Sequence, residues 1–162
     1  MSGKRKVVLT VSAVLAAGVM VIGTGAAQAG AGDAAPEADV AHHGHISLVD
    51  GQLRVSLASK SHGPVDVADS TVRIGFSGPL AAAQQLPPGC LWAADQEMLC
   101  ATGPLRAGAD GQQDAFTLST TGTPEEMVVT IATQWNGGAV DHNPTNHEHE
   151  VLVPATGDLY VF

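Results

Sequence analysis

His45-Ile46-Ser47-Leu48-Val49-Asp50-Gly51-Gln52-Leu53-Arg54-Val55-Ser56-Leu57 is the stretch that decides the fold. Leu53, Val55 and Leu57 occupy every second position, with Gln52, Arg54 and Ser56 between them. A period of two is that of a strand with one face buried. His45 to Val49 is a candidate first strand, and Asp50-Gly51 joins it to the second. Glycine tolerates the positive φ that a two-residue hairpin turn demands, so the dipeptide predicts a tight antiparallel pair.

The same alternation recurs along the chain. Val65 to Phe76 places Val72, Ile74 and Phe76 inward and Thr71, Arg73 and Gly75 outward. Asp114 to Ser119 is a strand around Phe116 and Leu118. Glu126 to Trp135 is the strongest, with Met127, Val129, Ile131 and Trp135 expected on one face. His147 to Pro154 is the last long strand, and Tyr160-Val161-Phe162 adds a terminal strip. Ser61-His62-Gly63-Pro64, Pro87-Pro88-Gly89 and Asn136-Gly137-Gly138 punctuate these runs as turns. Only Leu80 to Gln85 predicts a helical turn, and no long amphipathic helix is present in the pattern. About seven short strands at intervals near ten residues predict an all-β sandwich. With 3 Phe, 2 Trp and 1 Tyr in 162 residues, its core has to rely on Val, Leu and Ile.

The N-terminus reads as an export signal. Lys4, Arg5 and Lys6 form a basic start, Val7 to Ile22 is apolar and uncharged, and Ala27-Gln28-Ala29 is the small-x-small pattern of a signal peptidase site. The apolar run is shorter than the roughly 20 residues a membrane-spanning helix needs. The expected cut lies between Ala29 and Gly30, within Ala27, Ala29 and Gly30 as the recognised residues. That divides the chain into a signal peptide at 1–29, a flexible Ala-, Gly- and acid-rich tail at 30–41 and a β domain at 42–162. The expected product is secreted and extracellular, without a membrane span.

Removing three cations takes the formal charge from −9 to −12. Nucleic acid is a poor partner for such a surface, because phosphate binding rests on clustered Lys and Arg. Cys90 and Cys100 are the only cysteines, and an even count in an exported domain reads as a disulfide. The intervening residues form a hairpin with Ala94-Asp95-Gln96-Glu97 at its tip. Closing that loop contributes about 3 kcal/mol in the chain-entropy description.

Three segments carry a family resemblance. Ser61 to Val72, with Gly63-Pro64 at its start, resembles the "N-x-G-P" segment of bacterial immunoglobulin-like surface repeats. Cys90 and Cys100 followed by Gly103-Pro104-Leu105-Arg106-Ala107-Gly108 are similar to the repeats' cysteine-containing stretch. Asp141-His142-Asn143-Pro144-Thr145-Asn146 resembles their "D-x-N-P-x-N-N" turn. The repeats in question are those known as domain of unknown function 11 and the related cell-adhesion-related domain found in bacteria. The resemblance spans Ile46 to Val153 and implies an immunoglobulin-like antiparallel sandwich in a bacterial extracellular protein. Asp141, Asn143 and Asn146 carry the oxygens to satisfy main-chain N–H groups in such a turn, or to hold calcium.

Histidine is the unusual signal. His42, His43, His45, His142, His147 and His149 are six of the seven, in two clusters. His43 with His45 and His147 with His149 each share a strand face. First and last strands that lie side by side would gather these four imidazoles into a zinc or copper site. No catalytic set accompanies them. Ser77 lacks the G-x-S-x-G elbow, the cysteines pair with each other, and Glu125 and Glu126 are adjacent and so point to opposite faces. The reading is a secreted, non-enzymatic binding or structural module whose partner is an extracellular protein or a cell-wall polymer. A histidine-based metal binder is the alternative, and a small secreted hydrolase, or an inhibitor presenting the Trp92 to Met98 loop, is the second.

Overall fold

The structure, a computed structural model, describes residues 35–162. The expected signal peptide, its Ala27, Ala29 and Gly30 junction, and the first part of the expected tail lie outside the described residues.

Nine strands form two antiparallel sheets: β1 Val40–Val49, β2 Gln52–Ser61, β3 Thr71–Phe76, β4 Cys90–Ala94, β5 Glu97–Ala101, β6 Gln112–Ser119, β7 Glu126–Trp135, β8 Glu148–Pro154 and β9 Tyr160–Val161. One sheet runs β6-β2-β1-β9 and the other β4-β5-β3-β7-β8. β1, β2 and β6 are connected as strands A, B and E of an immunoglobulin sandwich, and β3, β7 and β8 as C, F and G. The expected fold class holds, with nine strands because the disulfide hairpin supplies two and the terminal strip one. Among the described residues there is no helix.

The founding hairpin forms as its sequence dictates. Val49 opposes Gln52, and Asp50 and Gly51 take φ of 50° and 70° at the turn. Leu53, Val55 and Leu57 are buried and meet Ile74, Met127, Val129 and Ile131 of the facing sheet in one apolar core. Cys90 and Cys100 are directly opposed in the β4–β5 pair and joined by a disulfide. The link therefore staples one edge of one sheet, where immunoglobulin domains of antibodies bridge the two sheets.

Three expectations change. The tail is shorter on its described side: Glu37 bridges Val140, Ala38 is buried and β1 begins at Val40. Ala38 and Val40 belong to a small apolar cluster with Val67 and Leu105, which draws this stretch onto the domain. Leu80 to Gln85 forms no helical turn. Leu80 bridges Thr120, and the Gln84 side chain donates to the Ser119 carbonyl and accepts from its N–H, taking the place of a strand neighbour. Trp135 leaves the inner face of β7. The pairing shifts by one residue between Thr71 and Val72, so Trp135 opposes outward-facing Thr71 and is 50% exposed. An extra residue of this kind re-aims the side chains beyond it.

Candidate functional site

The histidines separate because a strand has two faces. His43 and His45 lie on the outer face of the β6-β2-β1-β9 sheet, where the His43 ring meets His62 at 6.1 Å and His45 opposes Val161. His147 and His149 belong to the margin of the other sheet. The four predicted metal ligands, His43, His45, His147 and His149, are thus not gathered. Among the described residues no group of three or more His, Cys, Asp or Glu is placed to hold a metal ion.

His42 is the imidazole that β1 turns inward. Its side chain is fully buried, with Nδ1 3.0 Å from Ser59 Oγ on β2 and Nε2 2.8 Å from Thr133 Oγ1 on β7. One ring therefore ties the two sheets through both nitrogens. Burial, reinforced by the neighbouring His149, His147 and His43 and opposed by Asp141, lowers its pKa to about 4. His42 is accordingly neutral at pH 7.

The 141–146 turn locks this corner. Asp141 accepts the N–H of Asn143 at 2.8 Å through Oδ1 and that of Val40 at 3.0 Å through Oδ2, which also lies 3.4 Å from His147 Nδ1. Asn146 Nδ2 donates to Asp39 at 2.7 Å and Asn143 Nδ2 at 3.4 Å. The Asn146 carbonyl receives the His42 N–H at 3.0 Å and His149 Nε2 at 3.2 Å. Of the side-chain oxygens expected to hold calcium, those of Asp141 accept N–H donors and Asn143 Oδ1 accepts the Thr145 hydroxyl at 2.8 Å, while Asn146 Oδ1 is buried without a partner among the described residues. His142 is exposed on the turn.

In front of this corner the sandwich is open. β8 ends one sheet and β9 ends the other, and a groove of about 660 Å³ lies between them. Val151, Tyr160 and Phe162 line it together with His149, whose ring lies 5.3 Å from that of Phe162. Gly44 makes the floor possible. Its N–H and C=O both pair with Phe162, and a side chain there would collide with the Ser56 carbonyl and the Phe162 ring. Leu152, Leu159 and Val161 stand on the rim, 51%, 64% and 80% exposed.

The main chain of β8 is equally open. Thr133 N–H donates to the His147 carbonyl and Ala155 N–H to the Glu125 carbonyl, which fixes the phase of the β7–β8 ladder. In antiparallel pairing the bonded residues alternate. His149, Val151 and Val153 therefore bond to β7, and Glu148, Glu150 and Leu152 direct their N–H and C=O groups away from it. Among the described residues neither Glu148 nor Glu150 meets a cation within salt-bridge distance. Sequence reasoning missed this edge, although the alternation of Glu148, Glu150 and Leu152 with His149, Val151 and Val153 was its signal.

Ser77 and the two cysteines, considered for catalysis, have structural tasks. Ser77 Oγ accepts the Val128 N–H at 2.8 Å, and both cysteines are bonded. In the hairpin considered as an inhibitory loop, Met98 is buried and the Trp92 ring packs 6.3 Å from Phe76.

No family model matches the chain, and no curated protein matches it. Among solved structures, the solution structure of the CARDB domain of a Pyrococcus furiosus protein is similar at 15% identity, with a TM-score of 0.47, over 74% of this chain and 95% of that one. A crystal structure of the same domain in complex with di-metal ions is similar at 16% identity, with a TM-score of 0.43, over 74% of this chain and 88% of that one.

Proposed function

We propose that this chain is exported and serves at the cell exterior as a non-enzymatic binding module, with the open β8–β9 side as its contact surface. The observation that carries the reading is the coincidence, along one groove, of a strand edge left unpaired among the described residues with exposed Leu152, Leu159 and Val161. Apolar side chains clustered beside polar rims mark interaction sites more often than isolated ones do. Export supplies the oxidising compartment that the Cys90–Cys100 link requires.

The test combines two measurements on protein made by its own cells. The mature product begins at Gly30 on N-terminal sequencing and contains no free thiol. It sediments with washed cell envelopes, and the Leu159→Asp/Val161→Asp double variant stays in the supernatant while unfolding at the same temperature. A product that retains Met1, or sedimentation unaffected by the double variant, overturns the reading.

A further inference from the structure

Resting on that reading of the groove, we propose that its occupant is an extended protein segment that adds antiparallel to the free edge of β8, with basic residues opposite Glu148 and Glu150 and apolar residues entering the groove.

The main chain sets the kind of ligand. Glu148, Glu150 and Leu152 present outward-directed N–H and C=O groups at every second residue. A peptide strand answers that spacing with its own donors and acceptors, the recognition mode in which main-chain bonds give affinity and alternate side chains give specificity. A polysaccharide has no such repeat. The side chains set the sequence. Residues of the guest opposite Glu148, Glu150 and Leu152 lie on the outer face beside two carboxylates that meet no cation among the described residues and one exposed leucine. Opposite charges facing across strands stabilise the pair and like charges oppose it. The residues between them point to the inner side, over Val151, Tyr160 and Phe162. Read from its N-terminus, the guest is therefore apolar, apolar, basic, apolar, basic.

Charge also excludes a second copy of this chain as the guest. Pairing β8 with β8 brings the same two glutamates alongside their counterparts, in a protein of formal charge −9 over 162 residues. Pro154 ends the usable edge, since it has no N–H to offer and stands at the next outward-directed position.

The probe is a fluorescein-labelled peptide, Gly-Ser-Val-Val-Lys-Val-Lys-Ser-Gly, titrated into the purified full chain and followed by anisotropy. Its counterpart carries Glu in place of both Lys. The basic peptide binds and the acidic one does not, and Glu148→Lys/Glu150→Lys reverses the preference. Leu152→Pro removes one free N–H without touching the β7 ladder and weakens the basic peptide about tenfold, the scale of one or two hydrogen bonds. Circular dichroism and thermal unfolding verify that each variant is folded.

Equal binding of both peptides, or binding of the basic peptide undiminished by Leu152→Pro, overturns the proposal. If neither peptide binds but Leu159→Asp/Val161→Asp still abolishes envelope sedimentation, the groove binds something else: strand addition fails and the function proposed above stands. A concentration-dependent dimer broken by Leu152→Pro makes a second copy the guest and overturns the proposal. Sedimentation with purified wall polymer alone, without peptide binding, does the same in favour of a glycan. If the double variant changes neither measurement, both readings fail.

Discussion

The two edges of the five-stranded sheet are built differently. At one edge β4 is five residues long, its pairing with β5 slips between Trp92 and Ala94, and a disulfide ties it to its neighbour. At the other, β8 is seven residues long and pairs with β7 in an unbroken register from Glu148 to Pro154. A bulged, short strand is a poor template for another chain, and proteins blunt their edges in this way. β8 pairs without a bulge and carries its outward-directed groups at every second residue. The contrast teaches that edge closure here is selective: the covalent link fastens β4, beside a groove of about 830 Å³ lined by Leu80, Trp92 and Gln96, and the β8 side is held from within by His42.

The largest test of that contrast places proline at two neighbouring positions of β8. Val151→Pro removes an N–H that bonds to β7 and is expected to lower unfolding stability by about 3 kcal/mol or more. Leu152→Pro, whose N–H faces outward, is expected to cost less than about 1 kcal/mol, as edge positions tolerate proline. Urea denaturation of both variants measures the difference, and equal losses would show that the free edge has been assigned to the wrong residues.

On the opposite edge, Cys90→Ser/Cys100→Ser is expected to lose about 3 kcal/mol. The same denaturation experiment reads this directly, and the far-ultraviolet spectrum of the folded variant stays that of a β protein. Binding at the β8–β9 groove is expected to survive, because the disulfide lies three strands away from β8 in the sheet order. Loss of binding in a variant that is still folded would break the separation of the two edges.

The smallest effect concerns the inner fastening. His42 is held neutral with a pKa of about 4, below the ordinary 6.5. The unfolded chain takes up a proton on this residue near pH 6.5, and the folded chain does so only near pH 4. Stability contributed by neutral His42 is therefore fully present above pH 6.5 and lost as pH falls from 6.5 to 4, by no more than about 3 kcal/mol. In His42→Gln the slope of stability against pH over that window becomes shallower. An unchanged slope would remove His42 from its place between the sheets.

Much of the fold was legible because its signal is local. Alternation at Leu53, Val55 and Leu57 and the turn at Asp50-Gly51 need no distant partner to be read. Trp135 was misplaced because its face depends on a slipped pairing with β3, which nothing in its neighbourhood announces. The tail was read as too long because Ala38 and Val40 find their apolar company at Val67 and Leu105, distant in sequence. The histidine site failed on parity. β1 and β8 do approach each other from opposite sheets, but the inward residue of β1 is His42, one position away from the pair that was expected to converge. The disulfide partners were read correctly from their number, whereas its position at a sheet edge depended on strand order.

Pro154 bears on more than the length of a guest. Strand-by-strand growth into a fibre requires each newcomer to offer a fresh, continuous row of donors to the next. A proline at the end of β8 interrupts that row, and the carboxylates of Glu148 and Glu150 set identical molecules against each other. An acidic protein can thus leave one margin of a sheet uncovered without seeding its own aggregation.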